Sequence, residues 1–418
     1  MTTIAVLGTL DTKGQEHAFV ANLIRRRGLQ TLLIDAGGFG QPQCAADVTR
    51  EAVAAAAGLD LAKLQAANDR GAMVEAMAIG AARKLAELAA AGRIHGVISL
   101  GGTGGTAIGT AAMRALPLGF PKVMVSTVAA GNVAPYVGVK DIVMFPSIVD
   151  VAGLNRFSRA VFARAAATVC AIAEANANLP DDKEARPIIA ASMFGNTTQC
   201  VELARQPLEA AGYEVLVFHA TGAGGRTMES LIESGLVAGV LDITTTEWAD
   251  ELVGGVLNAG PTRLEAAARH GVPAIVTPGC LDMVNFGPPD TVPTKFRGRT
   301  FYQHNPQVTL MRTTPEECAQ LGRILAEKVN LSTGPVTVLI PRRAISVISA
   351  AGKPFHDPAA DEALFCALKS QLRPDIRCLE MDCEINSPEF AAACVRELLA
   401  NLAGEKKTNP VEMKLSFI

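Results

Sequence analysis

The stretch VISLGGTGGTAIGTAAMRAL, residues 97–116, decides the fold. Val97 to Leu100 is a short apolar run of the kind that forms a buried strand. Gly101, Gly102, Thr103, Gly104, Gly105 and Thr106 then follow without a bulky side chain among them, and an Ala-rich helical pattern begins. A strand that turns into a helix through so bare a loop is a βα unit of a parallel sheet. So many glycines are costly at such a turn unless a ligand or a crossing backbone comes close. Phosphates are held well by backbone N–H groups at a helix N-terminus, where the helix dipole adds to the donors, and bulky side chains would block that approach.

The same alternation extends in both directions. TIAVLG (3–8) leads into a helical stretch expected from about residue 15 to 27, which Gly28 stops. TLLIDAGG (31–38) reads as the next strand, then a long Ala-rich helical region, then PKVMVSTVA (121–129), IVMFPSIVD (142–150) and a helix over about 160–175. Short buried strands separated by helices predict βαβ units and a parallel sheet. The polar EANANLPDDKEARP (174–187) reads as a linker. A second series follows: PIIAASMFG, YEVLVFHATGAGG, GLVAGVLDIT, VPAIVTPG and PVTVLIP. The expectation is an α/β protein of two Rossmann-like domains, each a mainly parallel sheet flanked by helices: 1–180, 187–405, and a surface tail at 406–418. IAVLGTLDTKGQE and IAASMFGNTTQCVE both place Gly, small hydroxyl residues and Glu just after a first strand. A duplicated unit explains this, with chance similarity of α/β punctuation as the rival.

Composition bounds the function. The chain has 418 residues, 49% hydrophobic and 19% charged, with a formal net charge of -3. Large buried cores fit those figures, and no long like-charge block points to nucleic acid or an anionic membrane as partner. No apolar run reads as a membrane span, and the N-terminus lacks a signal-peptide pattern. Nine cysteines without a CxxC pair suggest reduced thiols and a cytoplasmic location.

Open parallel sheets bind ligands at the carboxyl ends of their strands. Four loops of the first half fall there. One holds Gly8, Thr9, Asp11, Thr12 and Lys13, a second Asp35, Gly37 and Gly38. The third is the 101–106 loop, and the fourth carries Ser126 and Thr127. Thr103 and Thr106 could offer hydroxyls, and Lys13 a point charge, to phosphate. Asp11 could hold Mg²⁺. Asp35 stands where Rossmann folds place a ribose-binding acid. Each has a plainer reading: Asp11 or Thr12 as helix caps, Lys13 as a solvated residue, Asp35 as a turn residue. Neither GxxxxGK[ST] nor GxGxxG is present.

GTLDTKGQE, LIDAGG, SLGGTGGT and DVAGLNRFSR resemble the Tm-one-like ATP-binding domain family. That family includes part of a plant tobamovirus-resistance protein and many bacterial proteins. The likeness continues through ITTTEWADELVGG, LDMVNFG and HNPQVTLMRTTPEE. It implies two Rossmann-like domains, a homodimer, and ATP bound in the N-terminal domain. Carried onto this chain, the nucleotide contacts fall on Gly8, Thr9, Asp11, Thr12, Lys13, Gly38 and residues 101–106.

The second half has its own polar strand ends. HATGAGGRTME offers Gly224, Gly225 and Arg226 as an anion cradle. Arg297, Arg312 and Arg342 could clamp a small anionic substrate. Glu247, Asp250 and His304 are candidates for acid–base chemistry, and Cys280 for a nucleophile. The plainer readings are a buried small Cys, a solvated basic loop, Trp248 as a core or dimer anchor, and RTTPEE as a helix start. Three functions remain open at this point. One is an ATP-dependent enzyme on a small anion. Another is a dinucleotide or sugar-phosphate enzyme. The last is a non-catalytic, ATP-stabilised dimer that docks on a partner.

Overall fold

A computed structural model of the chain describes residues 1–178 and 185–408, with side chains as far as 404. The chain divides into two compact units whose boundary lies within residues 179–184.

In the first unit, β1 (Thr3–Gly8), β2 (Gln30–Asp35), β3 (Gly96–Gly101), β4 (Lys122–Ser126) and β5 (Val143–Pro146) form one sheet in the order β2-β1-β3-β4-β5. Every neighbouring pair is parallel. Alternate residues of β1 serve opposite faces, as the two-residue period of a strand requires. Ala5 and Leu7 join a core with Val53, Met73, Met77 and Ile108, from helices Arg50–Ala56, Arg70–Ala90 and Thr103–Arg114. Ile4 and Val6 join a second core with Val20, Ile24, Phe162 and Val169, from helices Leu10–Arg25 and Arg156–Ala177. Each fully buried Leu, Ile or Val contributes roughly 1.5–3 kcal/mol.

The strand order reverses between β1 and β3, so the carboxyl ends of those two strands flank the crevice of a doubly wound sheet. Two sequence boundaries move. The first helix starts at Leu10 rather than near residue 15, so most of the GTLDTKG loop is its first turn, kinked at Lys13. The start of the expected linker, through Ala177, is the last turn of Arg156–Ala177. That helix is the one, among the described residues, long and apolar enough to cross a membrane by length and composition. Here Val161, Phe162, Ala165, Ala166 and Val169 pack it against the sheet.

The second unit repeats the pattern. β6 (Ile188–Met193), β7 (Glu214–His219), β8 (Gly239–Thr244), β9 (Ala274–Gly279), β13 (Val336–Pro341) and β14 (Arg377–Met381) form a sheet in the order β14-β13-β9-β8-β6-β7. All its pairs are parallel. Read from β7, its first five strands have the topology of the first sheet, and β14 adds an edge. Between β9 and β13 lies an insertion of three antiparallel strands: β10 (Met283–Phe286), β11 (Phe301–Asn305) and β12 (Val308–Arg312). The basic stretch read as a loop is therefore partly a hairpin, with β11 on its exposed edge. RTTPEE does open a helix. Thr314 and Glu317 form a capping box, with Pro315 in the first turn of Pro315–Asn330. The tail from 409 on lies outside the described residues.

Candidate functional site

The carboxyl edge of the first sheet opens on a cavity of about 530 Å³. Gly102, Thr103, Gly104 and Gly105 line one side, Thr9, Asp11, Thr12 and Lys13 a second, and Met73, Val74, Met77 and Ile108 a third. The helix Thr103–Arg114 starts here. Its first turn has no side-chain cap and no acidic residue, so its free N–H groups and the positive end of its dipole are unneutralised.

The glycines differ in what they are for. A Cβ on Gly101 would lie 2.8 Å from Gly105 Cα, so close strand–helix packing explains that residue. A Cβ on Gly104 would find nothing nearer than Val74 at 3.7 Å, and one on Gly105 nothing nearer than the Leu100 carbonyl at 3.6 Å. On Gly102 the nearest atom is Thr127 Oγ1, at 3.9 Å. The protein's own packing does not require these three to be bare. They are bare where they face the cavity.

Several expected ligand contacts turn out to build the site instead. Thr106 and Ser126 are buried and bond to one another, Oγ to Oγ at 2.6 Å. Thr127 stands beside Gly102 but outside the cavity lining. Asp11 Oδ2 accepts from the backbone N–H groups of Gly38 (3.1 Å), Phe39 (3.1 Å) and Gly40 (3.2 Å). It pins the loop after β2, while its buried Oδ1 has no partner. No group of three or more His, Cys, Asp or Glu side chains is arranged to hold a metal, among the described residues. Asp35 lies beneath that loop, with Oδ1 accepting from Leu10 N–H at 3.1 Å and Gly37 N–H at 2.8 Å. Burial pushes its pKa up against those two bonds. It organises the turn and does not line the cavity. A Cβ on Gly37 would strike both acids, and one on Gly38 would sit 2.5 Å from Met73 Cγ.

Sequence reasoning passed over three groups, His17, Arg70 and Asp150, and gave Lys13 a free amine. His17 is fully buried, with Nδ1 2.7 Å from the Lys13 carbonyl oxygen. Burial lowers its pKa, so the ring is neutral, and its edge occupies the space a Cβ on Gly8 would need. Lys13 is already engaged, its amine donating to the Val151 carbonyl. Arg70 and Asp150, both exposed, also line the cavity. Arg70 could have been found as the first residue of a helix whose i+3, i+4 and i+7 positions are Met73, Val74 and Met77.

The second domain uses its charged strand ends internally. Glu247 Oε1 accepts from Gly222 N–H at 2.7 Å and Gly225 N–H at 3.1 Å, filling the cradle that Gly224 and Gly225 offered a ligand. Glu247 Oε2 pairs with buried Arg263 at 2.6 Å. The same guanidinium reaches Asp242 in two-pronged fashion at 2.6 Å and Glu229 at 3.0 Å. Arg226 donates to the Asn258 carbonyl at 2.9 Å. Asp250 is fully buried and accepts from Leu257 N–H, Asn285 N–H and the Asn285 amide; burial pushes its pKa to about 7.

Cys280 is no activated nucleophile. It is fully buried among Phe194, Met283 and Phe355, and burial pushes its thiol well up. Arg312 pairs with Asp361 at 2.6 Å. Arg342 bridges Glu362 and Glu380 at 2.7 and 2.9 Å. Trp248 is a core residue, with the Lys328 amine 5.1 Å from its ring centroid. Arg297 and His304 are exposed; Arg297 borders a separate groove with Phe296 and Phe301, while His304 sits on β11. The four catalytic candidates therefore do not converge.

Comparison with known proteins agrees with this two-part architecture. Residues 2–178 match the family described as "Uncharacterised protein family (UPF0261) N-terminal domain", and residues 186–402 match its C-terminal domain. A "UPF0261 protein" of Clostridium tetani is 48% identical over 95% of this chain and 98% of its own length. "UPF0261 protein RA0729" of Rhizobium meliloti is 48% identical over 94% of this chain and 98% of its own length. "ToMV resistance protein Tm-1(GCR237)" of Solanum lycopersicum is 43% identical over 73% of this chain and 41% of its own length. By both of its halves, the chain belongs to the UPF0261 family.

Proposed function

We propose that the first domain is a receptor for ATP. Its phosphates would lie on the bare amides of Thr103, Gly104 and Gly105, and its base against Met73, Val74, Met77 and Ile108. The observation that carries the reading is that Gly104 and Gly105 are bare toward the cavity although nothing in the chain's own packing asks for it. A cavity of about 530 Å³ is of the size that small-molecule sites have. Magnesium would arrive with the phosphates. It usually keeps several waters and needs only one or two carboxylates, and Asp150 is the exposed carboxylate on the lining. The dinucleotide alternative is weakened because Asp35, its ribose hook, lies under the loop. Isothermal titration with ATP, ADP, NAD⁺ and a sugar phosphate tests the reading. Binding of NAD⁺ alone, or of none of the four, contradicts it.

A second reading is favoured by Glu247: ATP is held without being turned over, in a homodimer that docks on a partner. The second domain's cradle is filled by that carboxylate, and Arg263, Arg312 and Arg342 are already paired. Phosphate release with enzyme in excess over ATP separates the readings. A single turnover within minutes supports an ATP-dependent reaction, and intact ATP after hours supports the docking module.

A further inference from the structure

We infer that the cavity does not choose between adenine and guanine, an inference that rests on the nucleotide reading above. Discrimination between the purines needs a fixed donor and acceptor on the base edge. A site built of such groups rejects the wrong partner by about 10⁴-fold or more, whereas an apolar pocket manages about 10²-fold at most. The apolar part of the lining consists of Met73, Val74, Met77 and Ile108, none with a polar side-chain hydrogen. These four lie inside helices, where backbone groups are bonded along the helix.

The loop after β2 also borders the cavity, and the N–H groups of residues 36–40 are all taken. Ala36 N–H donates to the Gly8 carbonyl at 2.8 Å, and Gly37 N–H to Asp35 at 2.8 Å. Gly38, Phe39 and Gly40 N–H all donate to Asp11. Two carbonyls of the loop are taken as well: Gly38 O accepts from Gln65 Nε2 at 2.7 Å, and Gly40 O from Arg50.

The polar side chains on the lining sit with the phosphate cradle, at the ends of β1 and β3, or on Asp150 beyond β5. Arg70 shares its helix with Met73, Val74 and Met77, and it is exposed at the start of that helix. The base is therefore held by dispersion and shape. Purines should bind better than the smaller pyrimidines, and a bare triphosphate should bind worst.

The test is competition of ATP, GTP, CTP, UTP and inorganic tripolyphosphate, with magnesium, against a fluorescent ATP analogue on the full chain. The expected result is ATP and GTP within about fivefold of one another, with tripolyphosphate at least tenfold weaker than both. A preference of more than about thirtyfold for either purine overturns the inference and leaves ATP binding standing. Failure of every nucleotide to displace the probe, or to bind directly by calorimetry, overturns both.

Discussion

Gly104→Ala and Gly105→Ala separate folding from ligand binding. A methyl group at either position meets its nearest neighbour at 3.7 or 3.6 Å, ordinary van der Waals contact. Both residues lie in the first turn of a twelve-residue helix, and neither has a positive φ. Replacing Gly by Ala in a helix stabilises by about 0.5–1 kcal/mol, less near an end. For a domain of this size that raises the melting temperature by roughly 1–4 °C. Both residues line the cavity, so a methyl group at either crowds the place where the phosphate is proposed to lie. Losing one charge-assisted N–H···O bond costs about 1.5–3 kcal/mol, or roughly ten- to a hundredfold in Kd. Gly101→Ala is the control. Its Cβ would lie 2.8 Å from Gly105 Cα, so it lowers the melting temperature first. Scanning calorimetry and ATP titration on the three variants supply both numbers. ATP affinity unchanged within twofold in Gly104→Ala and Gly105→Ala would refute the reasoning, because the bareness would then serve nothing at the cavity.

Three further outcomes follow from the geometry. Asp11→Ala leaves the N–H groups of Gly38, Phe39 and Gly40 without their acceptor; it should cost about 1–3 kcal/mol and speed amide exchange at 37–40, read by mass spectrometry. Asp250 holds its proton to about pH 7 in the folded state against about 3.9 unfolded, so its contribution to stability is greatest at acid pH and falls as pH rises from about 4 to 7. The full span is about 4 kcal/mol at 1.36 kcal/mol per unit. Urea unfolding of Asp250→Asn between pH 4.5 and 8 should lose that slope, and a slope equal to the parent's rejects the assignment. Iodoacetamide on the native chain should label exposed Cys366 long before buried Cys280, whose thiol burial holds protonated; peptide mapping reads the order.

The sheets were legible because parallel strands buried on both faces read as apolar runs. Residues 3–8, 97–100, 239–244 and 274–279 stand out for that reason. The cradle at 101–105 was legible because glycine in quantity at a strand-to-helix turn has few other uses. The antiparallel insertion was not, since β11 is short, polar and exposed, and carries no apolar alternation. Nor was the fate of the carboxylates. Asp11, Asp35 and Glu247 each sit at a strand or helix end, where an acid that binds a ligand and one that binds the chain's own N–H groups look alike in sequence. Which it is depends on where the loops at 37–40 and 222–225 travel, and that is set by tertiary packing. Arg263, the cation that balances Asp242, Glu229 and Glu247, gave no local signal because its partners lie 16 to 34 residues away.

The amides of Thr103, Gly104 and Gly105 are the proposed grip on phosphate. Amide resonances of the ¹⁵N-labelled chain, followed while ATP and magnesium are added, test it most directly. These three N–H signals should move most, downfield, with a second set of shifts at Met73, Val74 and Met77. Saturation with ATP while all three signals stay in place would contradict it.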